Sequence, residues 1–268
     1  VPFAVRTGIE LESDIFVPEG VGPFPIVVAV HGGGFVRGDK DNIERKCRRI
    51  ASAGYVVYNA NYRTMSMGAQ FPAFVRDIHT AVNWVATHAA EYKGDPDRIG
   101  IMGFSAGSYI ASIVAVTSHV KFLHHKNDRP GNVEPRICAL AAFYGHHDLT
   151  ILDEVQRETA RLIWGGKTSD RLLALSSPAH YIEDYGVPTA LFHNTGDDLV
   201  PVEQSRSMYT QLTEAGVPAY YYEFDKVAHD LKRDDEEWAM GVTADFFDKY
   251  LKGMENVVLP EDIPAAGQ

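Results

Sequence analysis

A serine flanked by glycines is the most informative chemical pattern in the chain. The segment 103–107 reads GFSAG, a G-x-S-x-G match, and the apolar run 99–102 precedes it. Glycines on both sides allow the serine to stand on a sharp turn between a strand and a helix with its hydroxyl exposed. Such a hydroxyl becomes a nucleophile when a neighbouring base takes its proton. The pattern therefore predicts Ser105 as a nucleophile.

A second pattern, HGGG at 31–34, directly follows the apolar run 25–30. Successive glycines let backbone N–H groups face a cavity without obstruction by side chains. Such groups stabilise the oxyanion of a tetrahedral intermediate, and we expect Gly33, Gly34 and Ala106 to supply them. The alternatives are a flexible turn or a phosphate loop. A phosphate loop would have Lys and Ser or Thr after its glycines, where two apolar residues stand here.

The base and the acid must come from residues that follow later strands. His229 lies just after the last predicted strand, so a loop there can reach the nucleophile, whereas we expect His31 to brace the glycine loop. Asp197 and Asp198 both follow a strand and lie between the serine and the histidine. Their spacing from the Val-Pro pair at 200–201 favours Asp197 as the acid, with Asp198 as the alternative.

The elements that position these residues follow from alternating patterns of apolar residues. Short β-branched runs predict strands at 10–17, 25–30, 55–61, 99–104, 137–144, 188–193 and 220–224. Helical spacing predicts helices at 42–53, 72–90, 106–116 and 237–251, and a turn is expected at 94–98. This alternation is typical of a mostly parallel sheet covered by helices.

The predicted organisation is one α/β domain over 1–253, followed by a tail over 254–268 that is extended or disordered. Two polar stretches, 118–135 and 148–185, interrupt the alternation and are expected to pass over the active-site face. The 268 residues and 45% hydrophobic content suit a single globular core.

Composition argues against several classes of function. A formal net charge of −11 disfavours nucleic-acid binding, and no apolar run reaches the roughly 18 residues that a membrane span needs. The two cysteines, Cys47 and Cys138, are expected to be buried inert thiols. No signal peptide is recognisable, so we expect a cytoplasmic protein, with a trimmed secreted form as the alternative. Association as a homodimer stays open.

The motifs together resemble a known family. HGGGF at 31–35, DPDRIGIMGFSAG at 95–107, HNTGDDLVP at 193–201 and the late His229 are similar to α/β-hydrolase esterases of the hormone-sensitive-lipase-like and feruloyl- or acetyl-esterase-like group. The similarity runs from about Leu11 to Leu251, and the order Ser, Asp, His is the order of that fold. It implies an α/β-hydrolase fold: a mostly parallel central sheet, helices on both faces and a small or absent cap.

The chain also departs from this family pattern. Ser108 and Asn194 stand where relatives often have glycine, and the helical N-terminal cap of hormone-sensitive-lipase relatives is not seen. This argues against long-chain lipase activity.

The expected function is hydrolysis of small carboxylic esters, short-acyl or aryl, with acylated carbohydrate included, through a Ser-His-Asp triad and an acyl-enzyme. Amide hydrolysis, as by an arylformamidase or a small serine peptidase, is the alternative. A non-catalytic binding protein would be expected to lack a triad member, and none is missing. Candidate pocket residues are Phe35, Tyr144, His146 and Trp164. No cofactor is expected, and no metal either, because the His pairs at 124–125 and 146–147 lack ligand spacing.

Overall fold

The computed structural model describes residues 1–126, 128, 135–166 and 169–261. Its strands are β1 (Pro2–Arg6), β2 (Ile9–Phe16), β3 (Phe24–Val30), β4 (Val56–Ala60), β5 (Gly94–Phe104), β6 (Ile137–Phe143), β7 (Thr189–Asn194) and β8 (Ala219–Phe224). They form one sheet in the order β1-β2-β4-β3-β5-β6-β7-β8. β2 pairs antiparallel with β1 and with β4. The six strands β3 to β8 run parallel to one another. The carboxyl ends of these six strands therefore share one edge.

Helices cover both faces of the sheet. They are α1 (Glu44–Ala51), α2 (Ala73–Thr87), α3 (Ala106–Val116), α4 (Glu154–Ile163), α5 (Asp170–Leu175), α6 (Ile182–Tyr185), α7 (Glu203–Glu214) and α8 (Arg233–Leu251). Val28 of β3 belongs to the core on the side of the sheet that α2, α3 and α7 cover, whereas its neighbour Val27 belongs to the core on the side of α1 and α8. Burial on both faces explains why β3 reads as a continuous apolar run.

Two local predictions were wrong at the edges of the sheet. The segment 94–98, predicted as a turn, is the beginning of β5, because Gly94 and Asp95 pair with β3 before the register shifts. The first strand, β1, was not predicted; it forms a hairpin with β2 through Thr7 and Gly8, which both have positive φ.

The polar stretch 118–135 does not cover the active site in its described part. Arg76 of α2 donates to the carbonyl of Phe122, and Asp128 forms an ion pair with Arg6 of β1. None of its described residues lines the cleft around Ser105. The stretch 148–185 forms α4, α5 and α6, and its residue Ile163 does reach that cleft.

The described start of the tail is an extended arm packed on the domain. Leu259 is buried, and the Tyr222 hydroxyl donates to the carbonyl of Pro260 at 3.1 Å. The expected burial of the cysteines holds for Cys47, whereas Cys138 is only half-buried.

Candidate active site

Ser105 occupies the sharp turn between β5 and α3. Its backbone has φ 55° and ψ −121°, a conformation that residues other than glycine rarely adopt. A Cβ on Gly103 would overlap the backbone of Gly107, and a Cβ on Gly107 would overlap the carbonyl of Val30. The two glycines therefore allow β5, α3 and β3 to approach closely enough to hold the turn.

A chain of hydrogen bonds connects Ser105 to a buried carboxylate. His229 Nε2 lies 2.7 Å from Ser105 Oγ, and His229 Nδ1 lies 2.7 Å from Asp197 Oδ2. A carboxylate only accepts hydrogen bonds, so the ring proton belongs on Nδ1, which leaves Nε2 free to accept the serine proton. This arrangement has the geometry of a nucleophile, a base and an orienting acid.

The structure distinguishes between the two candidate acids. Asp197 is the residue that contacts His229, and its other oxygen, Oδ1, accepts from the backbone N–H groups of Leu199 and Val200 at 2.9 Å each. Asp198, the alternative, is exposed to solvent. The loop after β7 thus wraps its own backbone around the carboxylate of Asp197.

His193 also contacts this carboxylate, a role that the sequence reasoning missed. Its Nε2 lies 3.2 Å from Asp197 Oδ2 and 3.0 Å from the carbonyl of Val200, and its Nδ1 lies 2.7 Å from Ser205 Oγ. Burial alone would raise the pKa of Asp197, but hydrogen bonds from His193 and His229 hold it well below its ordinary value. Asp197 is therefore ionised at neutral pH. His193 lies near the end of β7, the strand that leads into the loop of Asp197, and this position in the sequence could have indicated its contact with the carboxylate.

The glycine loop packs against the nucleophile. A Cβ on Gly32 would lie 3.2 Å from the Cβ of Ser105. Gly33, Gly34 and Phe35 follow in succession with positive φ, and a Cβ on Gly33 would overlap the carbonyl oxygen of Arg37. Glycine is thus required at position 33 by both conformation and space.

His31 braces this loop, as expected. The ring is buried and stacks on Tyr62 with centroids 4.3 Å apart, and its Nδ1 lies 2.7 Å from the Gly32 carbonyl. The Tyr62 hydroxyl also donates to the carbonyl of His31.

A cleft of about 1330 Å³ opens above Ser105. Of the four predicted pocket residues, Phe35, Tyr144 and His146 line it, and Trp164 does not. Trp164 packs behind Phe35, and its indole N–H donates to Ser176 Oγ at 3.1 Å. Burial, together with nearby histidines, lowers the pKa of His146 to about 4, so this ring is neutral at neutral pH.

The two sides of the cleft differ in chemistry. Phe35 and Ile163 belong to the core beneath α2 and α3 and give one side an apolar wall. The other side lies near the first turns of α1 and α8 and carries polar and charged residues: Arg37, Asp39, Asn42, Lys46, Asp230 and Glu236. Lys46 Nζ forms an ion pair with Glu236 at 2.7 Å.

Comparison with models of known protein families shows the family to which the chain belongs. The BD-FAE family model matches residues 13–212, a span that includes Ser105 and Asp197. The chain belongs to the BD-FAE family. BD-FAE is an α/β-hydrolase esterase family, which confirms the resemblance seen in the motifs.

Individual relatives are similar to parts of this BD-FAE chain. Esterase LipQ of Mycobacterium tuberculosis is 28% identical over 207 residues, which cover 74% of this chain and 48% of LipQ. The probable carboxylic ester hydrolase LipM of the same organism is 28% identical over 219 residues, which cover 78% of this chain and 49% of LipM. The chain therefore spans about half the length of these relatives.

Solved structures show the same fold. An acetyl ester-xyloside bifunctional hydrolase from Caldicellulosiruptor lactoaceticus superimposes with a TM-score of 0.79 at 23% identity, covering 93% of this chain and 95% of that one. The esterase Est2 of Thermogutta terrifontis gives a TM-score of 0.80 at 23% identity, covering 93% and 91%. The predicted α/β-hydrolase fold is thus confirmed.

The described residues include no helix with both the length and the apolar character that a membrane crossing requires. They also include no group of three or more His, Cys, Asp and Glu side chains that could hold a metal ion.

Proposed function

We propose that this protein hydrolyses carboxylic esters, with Ser105 as nucleophile, His229 as general base and Asp197 as the acid that orients the histidine. The observation that carries the proposal is the continuous chain from Ser105 Oγ through His229 to Asp197, with both hydrogen bonds at 2.7 Å. Membership of an esterase family and the adjoining cleft support it.

The proposed reaction proceeds through an acyl-enzyme. His229 Nε2 takes the proton of Ser105 as Oγ attacks the ester carbonyl, and the same nitrogen then protonates the leaving alcohol. Water repeats the sequence on the acyl-serine and releases the acid. Asp197 stabilises the imidazolium that forms in each step.

The N–H groups of Gly33, Gly34 and Ala106 are the proposed donors to the developing oxyanion. Ala106 is the first residue of α3, where backbone N–H groups have no partner within the helix. Within the described chain, the N–H groups of Gly33 and Gly34 donate to no backbone acceptor. Each such donor is typically worth about 3 kcal/mol of transition-state stabilisation.

The proposed substrates are short-acyl or aryl esters, acylated carbohydrates among them. The apolar wall at Phe35 and Ile163 suits a small acyl or aryl group. The opposite side, with Asp39, Asn42 and Lys46, offers donors and acceptors to a hydroxyl-rich alcohol.

Turnover of matched substrates tests the proposal. We expect the protein to hydrolyse p-nitrophenyl acetate and butyrate and to release acetate from acetylated xylo-oligosaccharides, faster than it cleaves p-nitroacetanilide. Ser105→Ala should lose nearly all turnover. Ser112→Ala, which alters a buried serine two turns further along α3, is the matched control and should remain active. Faster cleavage of the anilide than of the esters would instead assign an amide hydrolase.

A further inference from the structure

The loop that carries His229 makes few backbone hydrogen bonds to the rest of the molecule. It leaves β8 at Phe224, and Val227 is 88% exposed. Backbone hydrogen bonds from Thr195 to Phe224 and from Gly196 to Lys226 hold the start of the loop, before the histidine is reached. Asp197 orients the ring of His229, so a further constraint on the loop would act on the backbone that carries the ring.

Asn194, the last residue of β7, provides a constraint on both sides of the histidine. Its amide nitrogen Nδ2 donates to the carbonyl of Ala228 at 2.9 Å and to the carbonyl of Asp230 at 3.1 Å. These two residues directly precede and follow His229. Both partners are carbonyl oxygens, so only the amide nitrogen can face them, which fixes the orientation of the amide.

Among the described residues, the segment 227–231 makes no backbone–backbone hydrogen bond. The two bonds from Asn194 therefore hold its backbone at the histidine, and the buried side chain of Leu231 holds its end. The Asn194 side chain is completely buried, and its Oδ1 is without a hydrogen-bond partner among the described residues.

We propose that Asn194 is a positioning residue for the general base: its amide clamps the backbone on both sides of His229 and so holds Nε2 over Ser105. The proposal rests on the proposed function.

Removal of the two donors at nearly constant volume tests the clamp. Asn194→Leu, with Asn194→Ala as a second variant in case leucine does not fit, should lower kcat for p-nitrophenyl acetate about 100-fold, the loss that a misplacement of about 1 Å can cause. KM should stay within twofold, because Asn194 does not line the cleft. Hydrogen–deuterium exchange of the loop at 227–231 should become faster.

Asn59 is the matched control. It is a fully buried asparagine on β4, which three strands separate from β7 in the sheet. Its Nδ2 donates to the Lys40 carbonyl at 2.8 Å, and its Oδ1 has no hydrogen-bond partner among the described residues. Asn59→Leu should lose comparable stability to denaturant yet keep kcat and loop exchange near the wild-type values. Equal losses of kcat in Asn194→Leu and Asn59→Leu would mean that Asn194 contributes only to stability, and this result would overturn the proposal.

Asn194→Asp gives a readout that packing alone would not change. A buried carboxylate facing two carbonyls cannot donate, whereas its protonated form can donate to one of them, and burial raises the pKa of such a group. The activity of the variant relative to wild type should therefore increase as the pH is lowered from about 8 to about 6. A constant ratio across this range would contradict the clamp.

Failure of the proposed function would look different. In that case neither the wild type nor any variant would turn over esters, and hydrogen–deuterium exchange of the loop at 227–231 would be the only test of whether Asn194 holds that loop. Unchanged exchange in Asn194→Leu would then overturn it.

Discussion

Replacement of Asp197 by asparagine is the perturbation whose outcome follows most directly from the contacts of one side chain. Oδ1 of Asp197 accepts from the N–H groups of Leu199 and Val200, so an asparagine must keep its amide oxygen there. Its NH2 group then takes the place of Oδ2 and points at His229 Nδ1. A donor at this position forces Nδ1 to accept and places the ring proton on Nε2. In that tautomer His229 cannot take the proton of Ser105.

The expected cost is large because the tautomer is wrong in nearly every molecule. An Asp-to-Asn change of this kind in a Ser-His-Asp triad lowers kcat about 10⁴-fold, which corresponds to about 5 kcal/mol in the barrier. Steady-state hydrolysis of p-nitrophenyl acetate by Asp197→Asn, with circular dichroism as a check of folding, measures it.

Asp198→Asn is the control. Asp198 is exposed, so this variant should keep kcat within about twofold of wild type, as surface substitutions usually do. The reasoning is refuted if folded Asp197→Asn keeps kcat within tenfold of wild type, or if Asp198→Asn loses more.

Two further perturbations concern the glycine loop and the buried His147. Gly33→Ala should lower kcat about 100-fold, because its Cβ would overlap the Arg37 carbonyl and displace the loop. Gly34→Ala should lower kcat less, because its Cβ would enter open space, and equal losses of ester turnover in the two variants would contradict this account. His147 is fully buried with both ring nitrogens unpaired in the described structure, and burial lowers its pKa to about 3. The unfolded chain binds this proton near pH 6.5, so the free energy of unfolding should fall as the pH drops from about 6.5 towards 3. Urea unfolding at pH 7 and 4.5 should show a smaller loss for His147→Phe than for wild type; identical losses would exclude His147 as a source of the acid sensitivity.

Sequence patterns predicted the sheet, and they selected the three residues of the proposed triad, for identifiable reasons. Ser105 and Asp197 follow buried ends of the strands β5 and β7, and His229 follows the edge strand β8. Parallel strands bring their carboxyl ends to one edge of the sheet. Spacing from the Val-Pro pair at 200–201 favoured Asp197 over Asp198, and the coordinates add that only Asp197 contacts His229, whereas Asp198 is exposed.

Other features depend on tertiary contacts that have no sequence period. The contact of His193 with Asp197 and the bonds of Asn194 to the loop of His229 arise only when the loops after β7 and β8 meet. Trp164 has the residue type of a pocket wall, yet its packing behind Phe35 and its bond to Ser176 place it one layer behind the cleft.

Labelling with a fluorophosphonate tests most directly the central claim that His229 activates Ser105. Such a probe reacts with an activated serine hydroxyl whatever the natural ester is, and intact-protein mass spectrometry counts the adducts. We predict one adduct per wild-type chain, located in the peptide that contains Ser105, none in Ser105→Ala and much slower labelling of His229→Ala. A folded wild type that stays unlabelled, or a Ser105→Ala variant that is labelled at the wild-type rate, would contradict the account.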